Sequence, residues 1–483
     1  MTQRYPALFD FGAFAGQSEA YVAIIKQFAA AQAFRSASVD ELVLDDDFHR
    51  RPLRPEDFEF LKFMKPVRSD NVSRLPSLAS NRTLLSIYEL DVTRAPRSAQ
   101  AADWARFTDF YRDDVRTLGA QLTPFLEAYA FSYLGDQASG DESEESDDAV
   151  TQRLAHVFDN ETAFWGETFA RLMRNDYLEE GLRFITIQRW ALAPSRRHAI
   201  DRAAAGGRFD GLPGDARPVV DGNHQDHELI ERVAQHVGVT RQQHAYWQFY
   251  LPTSMAKTNL LLALARRPDR AFALAGAAFA AEAEWLAFVG ALERACAHLR
   301  APQRAGGEIA ARRADLEGRA RRAVQAIGER FGAAARAQFV KGLAAGEHLA
   351  ERARWDLGEQ LKWLSAIPRF CDFARRISAR IDVECPDIDR ETFIEPHEMC
   401  STTHVHNDHR LVTIQEGEML FWGNLGMQLQ MFEGDMVLIP DGRLHGSTVT
   451  SGECTYHQPI IPDDWVQAFM LELEAPEAAR AAA

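Results

Sequence analysis

The chain has 483 residues, of which 46% are hydrophobic and 26% charged, so about three globular domains with buried cores are expected. Its formal net charge of −16 argues against a nucleic acid or an anionic membrane as partner and favours a small-molecule substrate. Five scattered cysteines without a C-x-x-C pair, and a start without a basic and apolar leader, indicate a reduced, cytoplasmic protein.

Residues 1–134 are predicted to form an N-terminal helical domain. Apolar residues recur at three- and four-residue spacing in the segments 19–31, 56–64 and 104–133, and prolines punctuate the connections between them. No cluster of metal-ligating residue types stands out in this part of the sequence. We therefore expect a docking domain, with a homodimer as the assembly that it supports.

An acidic stretch of small residues, 135–148, has almost nothing to bury, which is typical of a solvated linker between domains. Residues 149–380 are rich in Ala, Leu, Glu and Arg at helical spacing and predict a bundle of roughly seven helices. One of these predicted helices spans 333–377. The glycine- and proline-rich segment 200–223 is predicted to be a long loop that interrupts the bundle.

After Pro386 the apolar pattern changes to a period of two. Alternation occurs in the segments 412–414, 427–431 and 436–438, and turns at positions such as Gly434 and Gly442 separate them. Residues 381–483 therefore predict a small β-barrel. The expected fold class is multidomain α + β, with two all-α regions followed by this barrel.

Three histidines of the last domain are the strongest candidates for a metal site. His404 and His406 are two residues apart, so an extended strand can aim both imidazoles into one interior. The run from Gly434 to His445 gives a strand, a proline- and glycine-containing turn and then a third imidazole. Three neutral imidazoles describe a site for a divalent metal such as Fe, Mn, Ni or Zn, with room for substrate or oxygen.

These segments resemble the two cupin motifs, G-x5-H-x-H-x(3,4)-E-x6-G and G-x5-P-x-G-x2-H-x3-N. The second motif matches from Gly434 to His445, and the first keeps its His-x-His. Arg410 and Leu411 occupy the positions of the motif's glutamate, and Val449 stands in place of its asparagine. The resemblance implies a three-histidine site, as in the cupins and thiol dioxygenases that hold iron without a carboxylate.

Residues around this site are candidates for fixing the imidazole tautomers or for contacting the substrate: His409, Gln428, Gln430 and Tyr456. The alternatives are that His409 lies at the surface and that Tyr456 belongs to the barrel core.

The middle domain offers a second candidate metal site, made of His227, Glu282 and His348. Helical bundles build such sites from carboxylates and histidines that project inward from facing helices. Helices of this composition also carry these residue types by chance. In that alternative, Glu282 and Glu284 are one buried or capped residue beside one solvated residue.

The order of the domains resembles that of the N-nitrosourea synthase family of streptozotocin biosynthesis. The resemblance implies a haem-oxygenase-like middle domain, with a diiron site that hydroxylates both unmodified guanidine nitrogens of Nω-methyl-arginine. It also implies Fe(II) in the cupin, which rearranges the product oxidatively with O2 and forms the N–N bond. In the diiron motif, Glu282 looks like the second glutamate and His227 like the early histidine.

The diiron motif of that family also contains H-x3-D-x2-H, and this chain does not carry it intact. In the nearest frame, which ends at His348, Lys341 and Ala345 replace the first histidine and the aspartate. Three functions are therefore open: a synthase of this kind, a single-site cupin dioxygenase or isomerase with a structural helical domain, and a non-catalytic cupin that senses a ligand.

Overall fold

The computed structural model describes residues 16–29, 76, 78–90, 99–131, 146–239, 246, 249–299, 307–397, 403–406, 408–424 and 427–474. Within these ranges, helices occupy the chain up to Glu384, and antiparallel strands in two sheets follow from Thr392. The predicted fold class, helical regions followed by a cupin-like β domain, is confirmed. The predicted helix 56–64 and residues 135–145 of the acidic linker lie outside the described residues.

The N-terminal region contains four described helices, α1 (Ser18–Ala29), α2 (Leu78–Glu89), α3 (Ala101–Phe110) and α4 (Asp113–Ala130). The expected single helix over 104–133 is two helices, because the chain leaves helical geometry at Tyr111. Asp113 and Asp114 then begin α4, where two carboxylates favour the positive end of the helix dipole. The helices pack through buried apolar side chains such as Phe28, Leu84 and Phe125.

Nine described helices form the middle region: α5 (Asp147–Arg174), α6 (Leu178–Trp190), α7 (Ala193–Ala205), α8 (His224–His236), α9 (Pro252–Arg266), α10 (Ala271–Ala295), α11 (Glu308–Phe331), α12 (Ala333–Leu364) and α13 (Ile367–Glu384). Three boundaries differ from those expected. The predicted linker includes the first two residues of α5, but these are helical, and the Ser146 hydroxyl caps the helix. The predicted loop begins only after α7, at Gly206. The predicted helix 333–377 breaks at Ser365, ahead of Pro368.

The centre of the bundle is α10, which is buried along most of its length and packs against α5, α11 and α12. Glycines allow α10 and α12 to approach closely: a Cβ at Gly276 would lie 2.0 Å from the Phe339 carbonyl oxygen, and one at Gly342 would lie 1.9 Å from that of Ala273. The segment Pro268–Ala295, which contains α10, is long and apolar enough to cross a membrane, but 83% of its apolar window is buried inside the protein. It is therefore placed as a core helix of the bundle.

The β domain contains the strands β1 (Thr392–Pro396), β2 (His409–Glu416), β3 (Met419–Asn424), β4 (Met427–Met431), β5 (Met436–Ile439), β6 (Gly446–Val449), β7 (Glu453–His457) and β8 (Ile460–Ile461), and then α14 (Asp463–Glu474). One sheet has the order β1-β7-β2-β5, with β8 also paired to β2, and the other has the order β4-β3-β6. All pairs are antiparallel.

The helical region and the β domain pack against each other through aromatic side chains. Phe373 of α13 stacks on Phe469 of α14 with ring centroids 4.0 Å apart. Trp363, at the end of α12, meets Phe421 of β3 edge to face at 6.1 Å. Trp363 is fully buried, so this contact is part of the continuous core that joins the bundle to the β domain.

Candidate metal centre

Backbone hydrogen bonds place His404 directly opposite His445. The His404 N–H donates to the His445 carbonyl oxygen at 2.9 Å, and the His445 N–H donates back at 3.0 Å. Side chains of directly paired residues project from the same face of an antiparallel ladder. His406 lies two residues further along the chain, outside the named strands, and its carbonyl accepts a bond from the Gly442 N–H at 2.9 Å.

Gly442 makes the turn before His445 possible. Its φ of +72° lies in the left-handed region, where a glycine is far less strained than other residues. The turn carries the chain from β5 back to the strand partner of His404. The Pro-x-Gly spacing of the cupin motif is therefore the local cause of the position of His445.

The three rings face one another. Their centroids are 4.5 Å apart for His404 and His445, 4.8 Å for His404 and His406, and 4.9 Å for His406 and His445. One nitrogen of each ring lies within 4.8 Å of the other two, and the Nε2 atoms of His404 and His406 are 3.3 Å apart. Two nitrogens bound to one ion at about 2.1 Å are roughly 3–4 Å apart, so small ring rotations suffice.

The protonation of His445 suits a metal ligand. Its Nδ1 lies 2.8 Å from the Arg443 carbonyl, which can only accept, so the proton is assigned to Nδ1 and the lone pair to Nε2. This Nε2 is buried and has no hydrogen-bond partner. Burial and the nearby His404 hold the pKa of His445 well below its usual value, which keeps the ring neutral. A metal ion would satisfy this nitrogen.

We call His404, His406 and His445 the histidine trio. Among the described residues, no other three side chains of the types His, Cys, Asp and Glu converge in this way. The donor set of three imidazoles without a carboxylate fits a divalent transition metal with open positions.

Helix α12 supports the loop that carries His445. The Gln360 side chain donates to the Gly442 carbonyl at 2.9 Å and accepts from the Leu444 N–H at 3.1 Å. Glu359 accepts a 2.6 Å bond from Arg443, a residue that is 3% exposed. The backbone on both sides of Arg443 is therefore fixed by a helix of the bundle, and with it the carbonyl that orients the His445 ring.

The four residues expected near the site have other contacts. His409 is buried, and its Nδ1 accepts a 2.9 Å bond from the Asp441 N–H, so it supports the same turn. Gln428 and Gln430 are on the exposed face of β4, and Gln430 donates to Thr450 at 3.0 Å. The Tyr456 hydroxyl donates to Glu395 at 3.0 Å. Of these, His409 is the one whose contacts bear on the histidine trio.

Two neighbours of the trio were missed by the sequence reasoning. The Gln458 amide nitrogen lies 3.2 Å from His406 Nε2, and the Phe421 ring stacks on His445 with centroids 5.7 Å apart. Gln458 follows β7, and its only sequence signal was its position two residues after Tyr456. Phe421 alternates along β3 with Leu420 and reads as ordinary barrel core.

The second expected set, His227, Glu282 and His348, is not brought together. Glu282 is paired with Arg319 and accepts a 2.9 Å bond from the Val219 N–H. His227 Nε2 donates to the Asp221 carbonyl at 2.8 Å. His348 lies 4.0 Å from the Glu351 carboxylate.

Two other carboxylates of the bundle, Glu161 and Glu284, are also buried. Glu161 on α5 accepts from Trp165 at 2.9 Å and from Arg354 at 3.0 Å. Glu284 on α10 is paired with both Arg189 and Lys257. We call these five charged residues the charge cluster: Glu161, Arg189, Lys257, Glu284 and Arg354.

A small cavity of about 40 Å³ lies beside the charge cluster. Its polar lining includes Arg189, Lys257, Glu284 and the Arg196–Asp221 ion pair, and its apolar lining comes from α9, α10 and α12. Arg189 is held over the Trp165 ring, 5.1 Å from its centroid.

The fold and the site place this protein in a definite class. Its helical regions are followed by a cupin-like pair of antiparallel sheets, and three histidines converge there. No family model matches the chain. It is 28% identical over 447 residues to nitrosourea synthase of Streptomyces achromogenes subsp. streptozoticus, which aligns over 86% of this chain and 91% of that protein. This similarity covers most of both chains and supports the resemblance to the family of that protein. The relationship indicates an enzyme with a related function in natural-product biosynthesis.

Proposed function

We propose that the chain is a non-haem iron oxygenase that rearranges an N-hydroxylated, arginine-type guanidine oxidatively and forms an N–N bond at His404, His406 and His445. The observation that carries this proposal is the buried, unpartnered Nε2 of His445, which faces the rings of His404 and His406. The relationship to nitrosourea synthase supplies the reaction class.

Iron held by three imidazoles would supply the redox chemistry with O2. The protein's own contribution is position. Three neutral ligands leave the charge of a dication uncompensated, which favours a substrate that binds as an anion, such as a deprotonated N-hydroxyguanidine. The Gln458 amide beside His406 can donate to one group of such a substrate and accept from another.

Phe421 and Trp363 form the apolar side of this site. Phe421 stacks on His445, and Trp363 of α12 packs edge to face against Phe421. These rings keep water away from the His445 face of the site. A dry wall strengthens the electrostatic contacts that orient a polar substrate.

A direct test uses N-hydroxylated Nω-methyl-arginine with 15N in the guanidine, Fe(II) and O2. The wild-type protein should consume O2 and yield a product in which mass spectrometry finds two 15N atoms bonded to each other. His445→Ala should consume none above the background of free iron. Equal turnover by this variant would refute the proposed site.

The second candidate function is a cupin dioxygenase or isomerase with a structural helical domain, and the charge cluster favours it. Consumption of O2 without an N–N product would support this candidate. A loaded metal that consumes no O2 with any hydroxylated guanidine would instead support ligand sensing.

The proposal includes an amino-acid-derived substrate, O2 as its partner and a cytoplasmic homodimer that forms through residues 1–134. It also keeps the domain limits 1–134, 149–380 and 381–483. Light scattering tests the dimer, since a mass near twice 54.3 kDa is expected.

A further inference from the structure

The buried polar centre of the helical bundle has the wrong charges for a metal site. Both oxygens of Glu161 are engaged, one by Arg354 and the other by Trp165 and Arg189. Glu161 is fully buried. A metal that took this carboxylate would break its bonds to Arg189 and Arg354, two cations that are themselves largely buried.

Glu284 is neutralised in the same manner. Burial by itself would raise the pKa of its carboxyl group, but Arg189 and Lys257 outweigh burial and lower that pKa to about 2. The carboxylate is therefore ionised and already faces two positive charges. Arg189 cannot release its proton at any pH of interest, so it cannot make room for a metal by becoming neutral.

The charge cluster contains two carboxylates and three cations, and so carries an excess of one positive charge before any metal is added. A dication would enter a buried, cationic site, where like charges repel strongly because water screens them little. The expected ligand His227 is also engaged elsewhere, since it donates to a backbone carbonyl.

We infer that Arg189, Lys257 and Arg354 take the neutralising role of a metal in the bundle, so that, within the residues that the structure describes, the histidine trio is the metal site. The observation is the pairing of both carboxylates of the charge cluster with cations of the same cluster, which holds whatever reaction the trio performs. It differs from the diiron centre that the family resemblance implies.

On the proposed function, a bundle without a metal also decides where the guanidine is hydroxylated before it reaches the histidine trio. Conversion of a guanidine N–H to N–OH takes one O2, two electrons and two protons and releases one water. A chain without a metal in its bundle cannot perform this step there. A separate N-hydroxylating monooxygenase, with its own reductant, must therefore supply the hydroxylated guanidine.

Metal counting tests the inference without any assay of activity. Full-length protein is loaded with excess Fe(II) under nitrogen, desalted and measured by plasma mass spectrometry. Wild-type protein should hold about one iron per chain and His445→Ala close to none. Glu284→Gln should keep the wild-type count, as should Glu282→Gln, a control in a different buried ion pair. Circular dichroism shows whether each variant is folded.

The inference is overturned if the His445→Ala variant still holds iron, and if adding Glu284→Gln to that variant removes the iron. Turnover of unhydroxylated Nω-methyl-arginine by the wild-type protein alone would overturn its consequence for the reaction order. If neither guanidine reacts, the proposed function fails, but the iron count still decides whether the bundle is metal-free.

Discussion

Gln360 in α12 is joined to Leu444, the residue before His445, by a hydrogen bond of 3.1 Å from the Leu444 N–H to the Gln360 side-chain oxygen. The other end of the same amide donates to the Gly442 carbonyl. Backbone groups of this loop are therefore hydrogen-bonded to a side chain of the helical bundle. Because the loop carries a candidate ligand, we expect metal affinity to depend on the helical region.

Gln360→Leu should weaken Fe(II) binding roughly 10- to 100-fold, because the backbone groups around Arg443 lose the amide that holds them. The measurement is a competition titration with a coloured chelator. Gln428→Leu, an exposed glutamine on β4, is the matched control and should bind as the wild type does. Equal affinity of the two variants would show that the loop holds its geometry without α12.

His409→Ala should leave the iron count per chain unchanged while lowering stability by about 1–2 kcal/mol. His409 accepts a bond from the Asp441 N–H, and its removal leaves a buried donor unpaired. Iron analysis and urea unfolding of the same sample give both quantities. Loss of iron with no loss of stability would instead make His409 a ligand.

Arg82→Met should destabilise the protein by roughly 1–3 kcal/mol and also weaken metal binding. The buried Arg82 guanidinium donates to the carbonyl oxygen and the hydroxyl of Thr403, both at 3.3 Å, and Thr403 precedes His404. Arg116→Met provides the comparison, because Arg116 donates to the Leu90 carbonyl inside the N-terminal region. If both variants bind iron equally well, the contact of α2 with the β domain does not position His404.

The buried Asp356 carboxyl group predicts a pH dependence of stability. Burial raises its pKa to about 6, against which the hydrogen bonds from Thr253 and Gln360 are too weak. Between about pH 4 and pH 6 the folded state therefore binds more protons than the unfolded state. The contribution of this group to stability is greatest below that window and is lost as pH rises through about 6.

Asp356→Asn should remove this loss, which is worth up to about 3 kcal/mol. Urea midpoints of wild-type protein and variant are compared at pH 5 and pH 7. The variant should gain on the wild type as pH rises from 5 to 7. A constant difference between the two proteins would mean that Asp356 does not titrate in this window.

The histidine trio was predictable from the sequence because its causes are local. The two-residue spacing places His404 and His406 close together, and a turn in which Gly442 takes a left-handed conformation places His445. The support from Gln360 was not predictable, since it joins residues 82 positions apart across two regions of different fold. Helical spacing shows which face of α12 is polar, and it does not show which backbone groups that face will meet.

The middle of the bundle shows the same limit more strongly. Glu282 and Glu284 look alike in sequence, and only packing decides that Glu284 meets Arg189, 95 positions away, while Glu282 meets Arg319. Family resemblance drew attention to Glu282, whereas the paired central carboxylates are Glu161 and Glu284. A departure from the family motif, the incomplete H-x3-D-x2-H, was the one sequence signal that this region differs.

Anomalous scattering at the iron edge, from crystals grown with Fe(II), tests whether His404, His406 and His445 share one ion. We expect one strong peak per chain, about 2.1 Å from a ring nitrogen of each of the three histidines. A fully loaded crystal with no peak among these rings, or with its iron elsewhere in the chain, would contradict this expectation.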